Sequence, residues 1–177
     1  MSKKIPLYRQ HDAMDCGPTC LRMVAKYYGR NYSAQELRER TQIGKDGVNM
    51  LGIAEAAESI GFRAIAVKVS LDKLLQEAPF PCIVHWSQNH FVVITPPSPN
   101  KRGVFSPLSL RGSDRRAERG RGIGVADPAR GLITYTREEF EKHWATTISN
   151  GQKMGVALLL EPGRLTRAAY RPNRGFF

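Results

Sequence analysis

Apolar positions recur every three to four residues through much of the first sixty residues, which is the period of an amphipathic helix. After an extended segment, one apolar stripe is formed by Cys20, Leu21, Val24, Ala25 and Tyr28. The stripe predicts a helix that begins near Gly17 or Pro18, because proline is tolerated in a first helical turn. Gly29 provides the C-terminal stop of this helix.

Two further helices are predicted between residues 33 and 61. Ser33 and Glu36 have the spacing of a capping box, which opens a helix that runs to about Arg40. A third helix covers the stretch "NMLGIAEAAES", with Asn49 as its N-cap and Gly61 as its stop.

The pattern changes to that of strands after residue 61. The stretch "FRAIAVKV" predicts a strand, and a short helix "LDKLLQEA" follows Ser70. The runs "PCIVHW" and "HFVVIT" are separated by three residues, which is hairpin spacing. Three more strands are predicted at "IGVAD", "LITYT" and "GVALLLE", and a second capping box, Thr136 with Glu139, opens a helix "REEFEKHW". This order predicts an α+β fold in which N-terminal helices pack on a C-terminal antiparallel sheet.

The composition is that of one domain with a hydrophobic core. The chain has 177 residues, of which 41% are hydrophobic and 24% are charged. Its longest apolar runs are too short to span a bilayer, and its N-terminus lacks the apolar segment of a secretory signal. The chain has three cysteines, an odd number that does not suggest a disulfide framework. Because thiols normally stay reduced in the cytosol, a cytoplasmic location is expected.

The net charge of +11 is concentrated in two segments. Residues 101–121 and 164–177 together hold nine of the eleven excess positive charges. Both lack periodicity, so we expect a flexible loop over residues 96–122, a basic tail or linker over residues 162–177, and one domain over residues 1–161. Their lack of interleaved aromatic residues argues against nucleic acid as a partner, whereas an acidic partner or an anionic membrane surface remains compatible.

The segment "QHDAMDCGPTC", residues 10–20, carries the densest chemistry of the chain. Two cysteines with His11 could begin a zinc site, but zinc needs two further ligands, which usually come from a second spaced pair. The remaining candidates show no such pairing: Cys82, His85, His90 and His143. We therefore expect neither a metal nor another cofactor.

Cys16 is the better candidate for a nucleophile. It lies just ahead of the predicted helix, whose unpaired N–H groups and dipole favour the thiolate, the attacking form of cysteine. Cys20 falls on the apolar stripe and is expected in the core. A thiolate needs an imidazole partner and an orienting group. His85 and His90 flank the same turn, and the pattern does not choose between them; Asp127, before a proline, is either a turn residue or the orienting group.

Four stretches in a fixed order resemble one known family. "QHDAMDCGPTC", "MVAKYYG", "HFVVI" and "VADPARG" are similar to the motifs of bacteriocin-processing, double-glycine cysteine peptidases, the papain-like domains at the N-terminus of peptidase-containing ABC transporters. The resemblance covers roughly residues 5–160. It implies a papain-like fold with Cys16 as nucleophile, His90 as general base, Asp127 as orienting carboxylate and Gln10 as the oxyanion-stabilising residue. It thus favours His90 over His85.

The resemblance also implies a function and partners. The expected activity is cysteine endopeptidase cleavage after a Gly-Gly motif, which removes leader peptides from bacteriocin-like or peptide-pheromone-like precursors during ABC-type export. The expected partners are a precursor with a helical leader and the transmembrane and ATPase domains of an exporter, at the inner face of the cell membrane if the chain is attached to them. No Gly-rich phosphate loop is present, so no ATP chemistry is expected from these residues.

Several points stay open at this level. The leader is expected to bind near Tyr27, Tyr28, Met50 and Leu51, although each of these also fits a core position. The segment 96–122 is longer than the connection usual in the family and is interpreted as an insertion. Two alternative functions use the same residues: a leader-docking domain without turnover, and a papain-like acyl transferase.

Overall fold

The computed structural model describes residues 4–44, 47–95 and 122–163. The predicted loop, apart from Gly122, and the predicted tail beyond Gly163 lie outside the described residues.

The described residues form five α-helices. They are α1 (Cys16–Tyr27), α2 (Ala34–Arg40), α3 (Met50–Ser59), α4 (Leu71–Glu77) and α5 (Arg137–Trp144). Side chains cap four of them: Ser33, Asn49, Ser70 and Thr136 each accept a backbone N–H of the first turn. The reciprocal capping box forms at Thr136 and Glu139. A 3₁₀ turn, Ala13–Asp15, leads into α1, so this helix begins at Cys16 itself, slightly earlier than predicted.

The strands of the described residues form one antiparallel sheet. They are β1 (Phe62–Val69), β2 (Cys82–Trp86), β3 (His90–Ile94), β4 (Ile123–Asp127), β5 (Gly131–Tyr135), β6 (Thr147–Ser149) and β7 (Gln152–Pro162). Their order is β1-β7-β2-β3-β4-β5, and the short β6 pairs with β7. Strand β6 and the first three residues of β7 were not predicted from the sequence. These segments are mainly polar and lack the apolar pattern of a strand.

Both faces of the sheet are covered by helices. Alternate residues of β3 point to opposite sides: Phe91 and Val93 join a core with α1, α2 and α3, whereas Val92 and Ile94 join a second core with α4 and α5. The predicted α+β class and the packing of the N-terminal helices on an antiparallel sheet are confirmed. Burial on both faces explains why the central strands are continuous apolar runs rather than alternating ones.

Gly17 allows close packing at the start of α1. A Cβ atom added there would lie 2.3 Å from Cγ1 of Val48 and 2.8 Å from Cδ1 of Ile53. The missing side chain therefore lets the start of α3 approach the residue that follows Cys16. None of the described helices has the length and apolar character needed to cross a membrane.

Candidate active site

Cys16 is the first residue of the central helix α1 and is only 5% exposed. The preceding turn is fixed by Asp12, whose Oδ1 accepts the backbone N–H of Met14 at 3.1 Å. The first N–H groups of α1 have no partner within the helix, so this end carries partial positive charge beside the thiol. The fold thus places a largely buried sulfur where a negative charge is favoured.

His90 and Asp127 meet at one end of the sheet. Strand β3 begins at His90 and the neighbouring antiparallel strand β4 ends at Asp127, so both side chains lie at the same end of the strand pair. His90 Nε2 lies 2.8 Å from Oδ1 of Asp127. The same oxygen accepts the backbone N–H groups of Ala129, at 2.8 Å, and Arg130, at 3.3 Å. The carboxylate is therefore held by the turn that follows β4.

The imidazole of His90 links the carboxylate to the thiol. Cys16 also acts on this ring, since its hydrogen bond and its charge contribute to the raised pKa of His90. Because Nε2 faces Asp127, Nδ1 is the ring nitrogen left for the sulfur. The structure thus brings Cys16, His90 and Asp127 together in that order.

The surroundings of His90 favour the protonated form of its imidazole. Burial acts to lower the pKa of His90, but hydrogen bonds to Asp127 and Cys16, together with their charges, raise it to about 9. Burial acts to raise the pKa of Asp127, yet the hydrogen bonds from His90 and the backbone of Ala129 and Arg130 leave it below its ordinary value. At neutral pH the imidazole is therefore protonated and the carboxyl is ionised.

His85, the other histidine of the hairpin, occupies a different position. Its ring stacks on Phe91, with centroids 5.0 Å apart, and burial lowers its pKa. Asp127 is hydrogen-bonded to His90, the histidine that the family resemblance favours.

Gln10 lies against the turn that follows Asp127. Its backbone N–H donates to the carbonyl of Pro128 at 3.0 Å, and Nη1 of the neighbouring Arg9 donates to the carbonyl of Ala129 at 3.1 Å. Its side-chain Oε1 is buried, and no described residue donates a hydrogen bond to it. These hydrogen bonds hold the segment before Cys16 against the turn that positions the carboxylate of Asp127.

The two other cysteines are core residues. The Cys20 thiol is fully buried and donates to the carbonyl of Phe91 at 3.2 Å. Burial, and then the nearby Cys16 and Asp127, raise the pKa of Cys20 well above the ordinary value. Burial raises the pKa of Cys82 to about 12. In the described residues no group of three or more His, Cys, Asp or Glu side chains could hold a metal ion.

Sequence reasoning missed a contact of the residue before Cys16. Asp15 is only 7% exposed, and its Oδ2 accepts a hydrogen bond from Nη1 of Arg38 at 3.3 Å. This contact ties α2 to the residue before Cys16. The two partners are 23 positions apart with no shared motif, so no sequence signal pointed to the pair.

The four residues predicted to bind substrate lie at two places. Tyr27 is the last residue of α1 and Tyr28 follows it, so both lie about 17 Å from Cys16 along the helix axis. Both pack against the first core, as does Met50, whereas Leu51 is 65% exposed.

A thiol at the start of a helix is joined here to an imidazole and a carboxylate at the ends of two strands of an antiparallel sheet. This arrangement defines the class of papain-like cysteine peptidases. A family model described as the peptidase C39 family matches residues 4–114. This match covers more than half of the chain and includes Cys16 and His90. The chain belongs to the peptidase C39 family.

Curated relatives are much longer proteins. The lactococcin-G-processing and transport ATP-binding protein LagD of Lactococcus lactis subsp. lactis is 33% identical over 177 residues, which covers 97% of this chain and 20% of that protein. The colicin V secretion/processing ATP-binding protein CvaB of Escherichia coli is 28% identical over 161 residues, covering 91% of this chain and 19% of that protein. The chain thus spans about a fifth of the length of these relatives.

Solved structures match over almost the whole chain. A double glycine motif protease from an AMS/PCAT transporter, in complex with the leader peptide, has a TM-score of 0.69 and 28% identity, covering 90% of this chain and 93% of that one. The peptidase domain of Streptococcus ComA, a bi-functional ABC transporter involved in quorum sensing, has a TM-score of 0.65 and 27% identity. The match covers 91% of this chain and 99% of that one. The peptidase portion of such transporters therefore has the same fold as this chain.

Proposed function

We propose that this chain is a cysteine endopeptidase domain that removes leader peptides after a Gly-Gly motif from bacteriocin-like or peptide-pheromone-like precursors. The observation that carries the proposal is the hydrogen-bonded series from Cys16 through His90 to Asp127. The names of the relatives support it, since they are processing and transport proteins. So does the similarity to a protease that was solved with its leader peptide.

The proposed reaction is an acyl transfer through a thioester. The Cys16 thiolate attacks the scissile carbonyl carbon, and the electron pair of the carbonyl moves to its oxygen. The side-chain amide of Gln10 and the backbone N–H of Cys16 hold this oxyanion. The tetrahedral intermediate collapses as His90, oriented by Asp127, gives its proton to the leaving amine. Water then attacks the thioester, His90 accepts its proton, and the leader is released with a free carboxylate.

The leader is proposed to bind through a helix upstream of the two glycines. Glycine at both positions suits a narrow cleft, because a side chain there would have to fit beside the largely buried Cys16. Leu51 is the exposed apolar candidate for contact with the leader, and Tyr27, Tyr28 and Met50 are proposed to support it from partly buried positions.

The partners are inferred from the relatives, of which this chain spans about a fifth. We infer that the peptidase acts beside the transmembrane and ATPase domains of an ABC exporter, on the cytoplasmic side of the membrane. In this arrangement the domain over residues 1–161 would receive the precursor before transport, residues 96–122 would be an insertion, and residues 162–177 would be a linker.

A cleavage-site experiment tests the proposed function. The substrate is a synthetic precursor whose leader ends in Gly-Gly, and the products are identified by mass spectrometry. Cleavage is expected after the second glycine, and replacing that glycine with alanine is expected to lower kcat/KM at least 100-fold. Cleavage elsewhere, or equal cleavage of the alanine peptide, would contradict the Gly-Gly assignment. Transfer of the leader to an added amine in place of hydrolysis would instead favour the acyl transferase.

A further inference from the structure

A pocket of about 220 Å³ lies on the outer side of α1, away from the proposed catalytic group. Its walls include Tyr8 from the N-terminal segment, Arg22 and Lys26 from α1, and Asn31 and Tyr32 from the loop before α2. None of the residues that carry the proposed chemistry lines this pocket, so the proposed mechanism leaves it unexplained.

Arg22 is fixed in this pocket by two contacts. Its guanidinium carbon lies 4.0 Å from the centroid of the Tyr8 ring, a cation–π arrangement. Its Nε donates to the backbone carbonyl of Tyr32 at 3.0 Å. These contacts orient the guanidinium plane before any ligand arrives, which lowers the entropy cost of binding.

The second cation of the pocket is Lys26, one turn further along α1. Its Nζ donates to the side-chain oxygen of Asn31, which holds the ammonium group near the loop before α2. Residues four apart on a helix lie on one face, so Arg22 and Lys26 point to the same side of α1.

The two cations have no carboxylate partner in the described part of the chain. The ion pairs formed by described residues include neither Arg22 nor Lys26. No acidic residue lines the pocket either. A preformed concave site with two positive charges and no internal counter-charge suits a ligand with a negatively charged group.

We propose that this pocket binds the carboxylate of an acidic side chain in the leader of the precursor; this inference rests on the proposed function. Arg22 and Lys26 are six and ten residues after Cys16, so they lie about 9 and 15 Å along the helix axis. A peptide that advances about 3.3 Å per residue when extended, or 1.5 Å when helical, covers this span within about three to ten residues of the cut. The pocket is therefore a specificity site for the charge of the leader.

The test is a scan of single glutamate residues along the precursor. Each peptide carries one Glu at a position three to ten residues before the Gly-Gly cut, and its reference carries Gln at the same position. We expect one position, or two adjacent ones, at which kcat/KM for Glu exceeds that for Gln by about 5- to 10-fold at low salt. Most of this difference is expected in KM, and 0.5 M NaCl should reduce it because salt screens exposed charges.

Variants of the two cations locate the effect. Lys26→Gln and Arg22→Gln are each expected to bring the Glu-to-Gln ratio at that position close to one. The matched control is Lys142→Gln, which removes a lysine from the last turn of α5, on the opposite face of the sheet. It is expected to keep the ratio of the wild type. Because each ratio is measured within one enzyme, a general loss of activity in a variant does not change it.

The outcomes separate this inference from the proposed function. If no Gly-Gly peptide is cleaved, the proposed function fails together with the inference. If the peptides are cleaved but wild-type kcat/KM is the same for Glu and Gln at every leader position, the inference alone is overturned. A preference confined to positions after the cut, or one that Lys142→Gln removes equally, also overturns it. Tight binding of inorganic phosphate that Lys26→Gln abolishes, without any Glu preference, would identify a free anion as the ligand instead.

Discussion

Replacing Asp127 with asparagine removes the charge that faces His90 and keeps an oxygen that can accept a hydrogen bond. In the native protein the Oδ1 atom of Asp127 lies 2.8 Å from Nε2 of His90. Burial lowers the pKa of this imidazole, but the hydrogen bonds and charges of Asp127 and Cys16 raise it from 6.5 to about 9. The hydrogen bond to Asp127 is the largest of the effects that raise it.

The direction of the change follows from the charge. A negative neighbour stabilises the imidazolium, so its removal lowers the pKa of His90 and the proton is lost at lower pH. Because Asp127 provides the larger part of the rise, we expect the alkaline limb of kcat/KM to move down by about one to two pH units. We expect kcat/KM at pH 7 to fall about 10- to 100-fold in Asp127→Asn, and further in Asp127→Ala, which also loses the group that orients the ring.

The assay is the pH dependence of kcat/KM with a Gly-Gly peptide, which reports groups of the free enzyme. The wild-type limb is expected near pH 9, and the control is Asp72→Asn, a 62% exposed carboxylate on α4 that pairs with Arg137. The control should keep the wild-type limb. A limb that stays near pH 9 in Asp127→Asn, or that moves equally in the control, would refute the claim that Asp127 holds the proton on His90.

Three further predictions concern the thiols, the histidine and the packing of α1. Iodoacetamide at pH 7.5 should modify Cys16 first, because burial raises the pKa of both Cys20 and Cys82; peptide mapping that finds either of these labelled first would contradict the assignment. Since the folded-state pKa of His90 is raised to about 9, its stabilising contribution is full below pH 6.5 and is lost as pH rises through 9. The unfolding free energy lost in His90→Gln, measured with urea, should therefore be about 1–2 kcal/mol larger at pH 6 than at pH 10, after allowance for solvent screening; a pH-independent loss would contradict this. Gly17→Ala should cost about 1–3 kcal/mol of stability and lower kcat, because the added Cβ forces apart the packing beside Cys16; unchanged urea unfolding would show that this contact is not tight.

The elements with strong apolar periodicity were predicted correctly, and the missed strand has a specific cause. The β6–β7 hairpin turns at Asn150 and Gly151, which have φ values of 50° and 75°. Asn-Gly is a hairpin signal that sequence reasoning left unused, since the flanking residues are polar. The pairing there is set by the turn, and an apolar pattern could not have found it.

The position of Cys16 at a helix start could be predicted because it is a local property of the sequence. Local sequence could not decide between His85 and His90, because the two residues are close together in the chain. Their surroundings differ only through the register of β2 and β3. That register pairs His85 with Phe91 and Trp86 with His90, which places His90 at the end of its strand, beside the end of β4. The family resemblance supplied the choice that the residue pattern left open.

Two other contacts between distant residues had no signal in the sequence. The Arg38–Asp15 ion pair and the contact of Arg22 with the Tyr8 ring join separate elements through single side chains. Charged residues at these positions also suit a solvated surface, so the sequence alone gives no reason to pair them.

The central claim is that Cys16 is the nucleophile of a leader peptidase, and the most direct measurement compares three forms of the protein. Wild type, Cys16→Ala and the control Cys82→Ala are incubated with a precursor whose leader ends in Gly-Gly, and their circular dichroism spectra are compared. We expect Cys16→Ala to keep the wild-type spectrum and lose all detectable cleavage, while Cys82→Ala continues to cleave after the second glycine. Cleavage at the wild-type rate by folded Cys16→Ala would contradict the account.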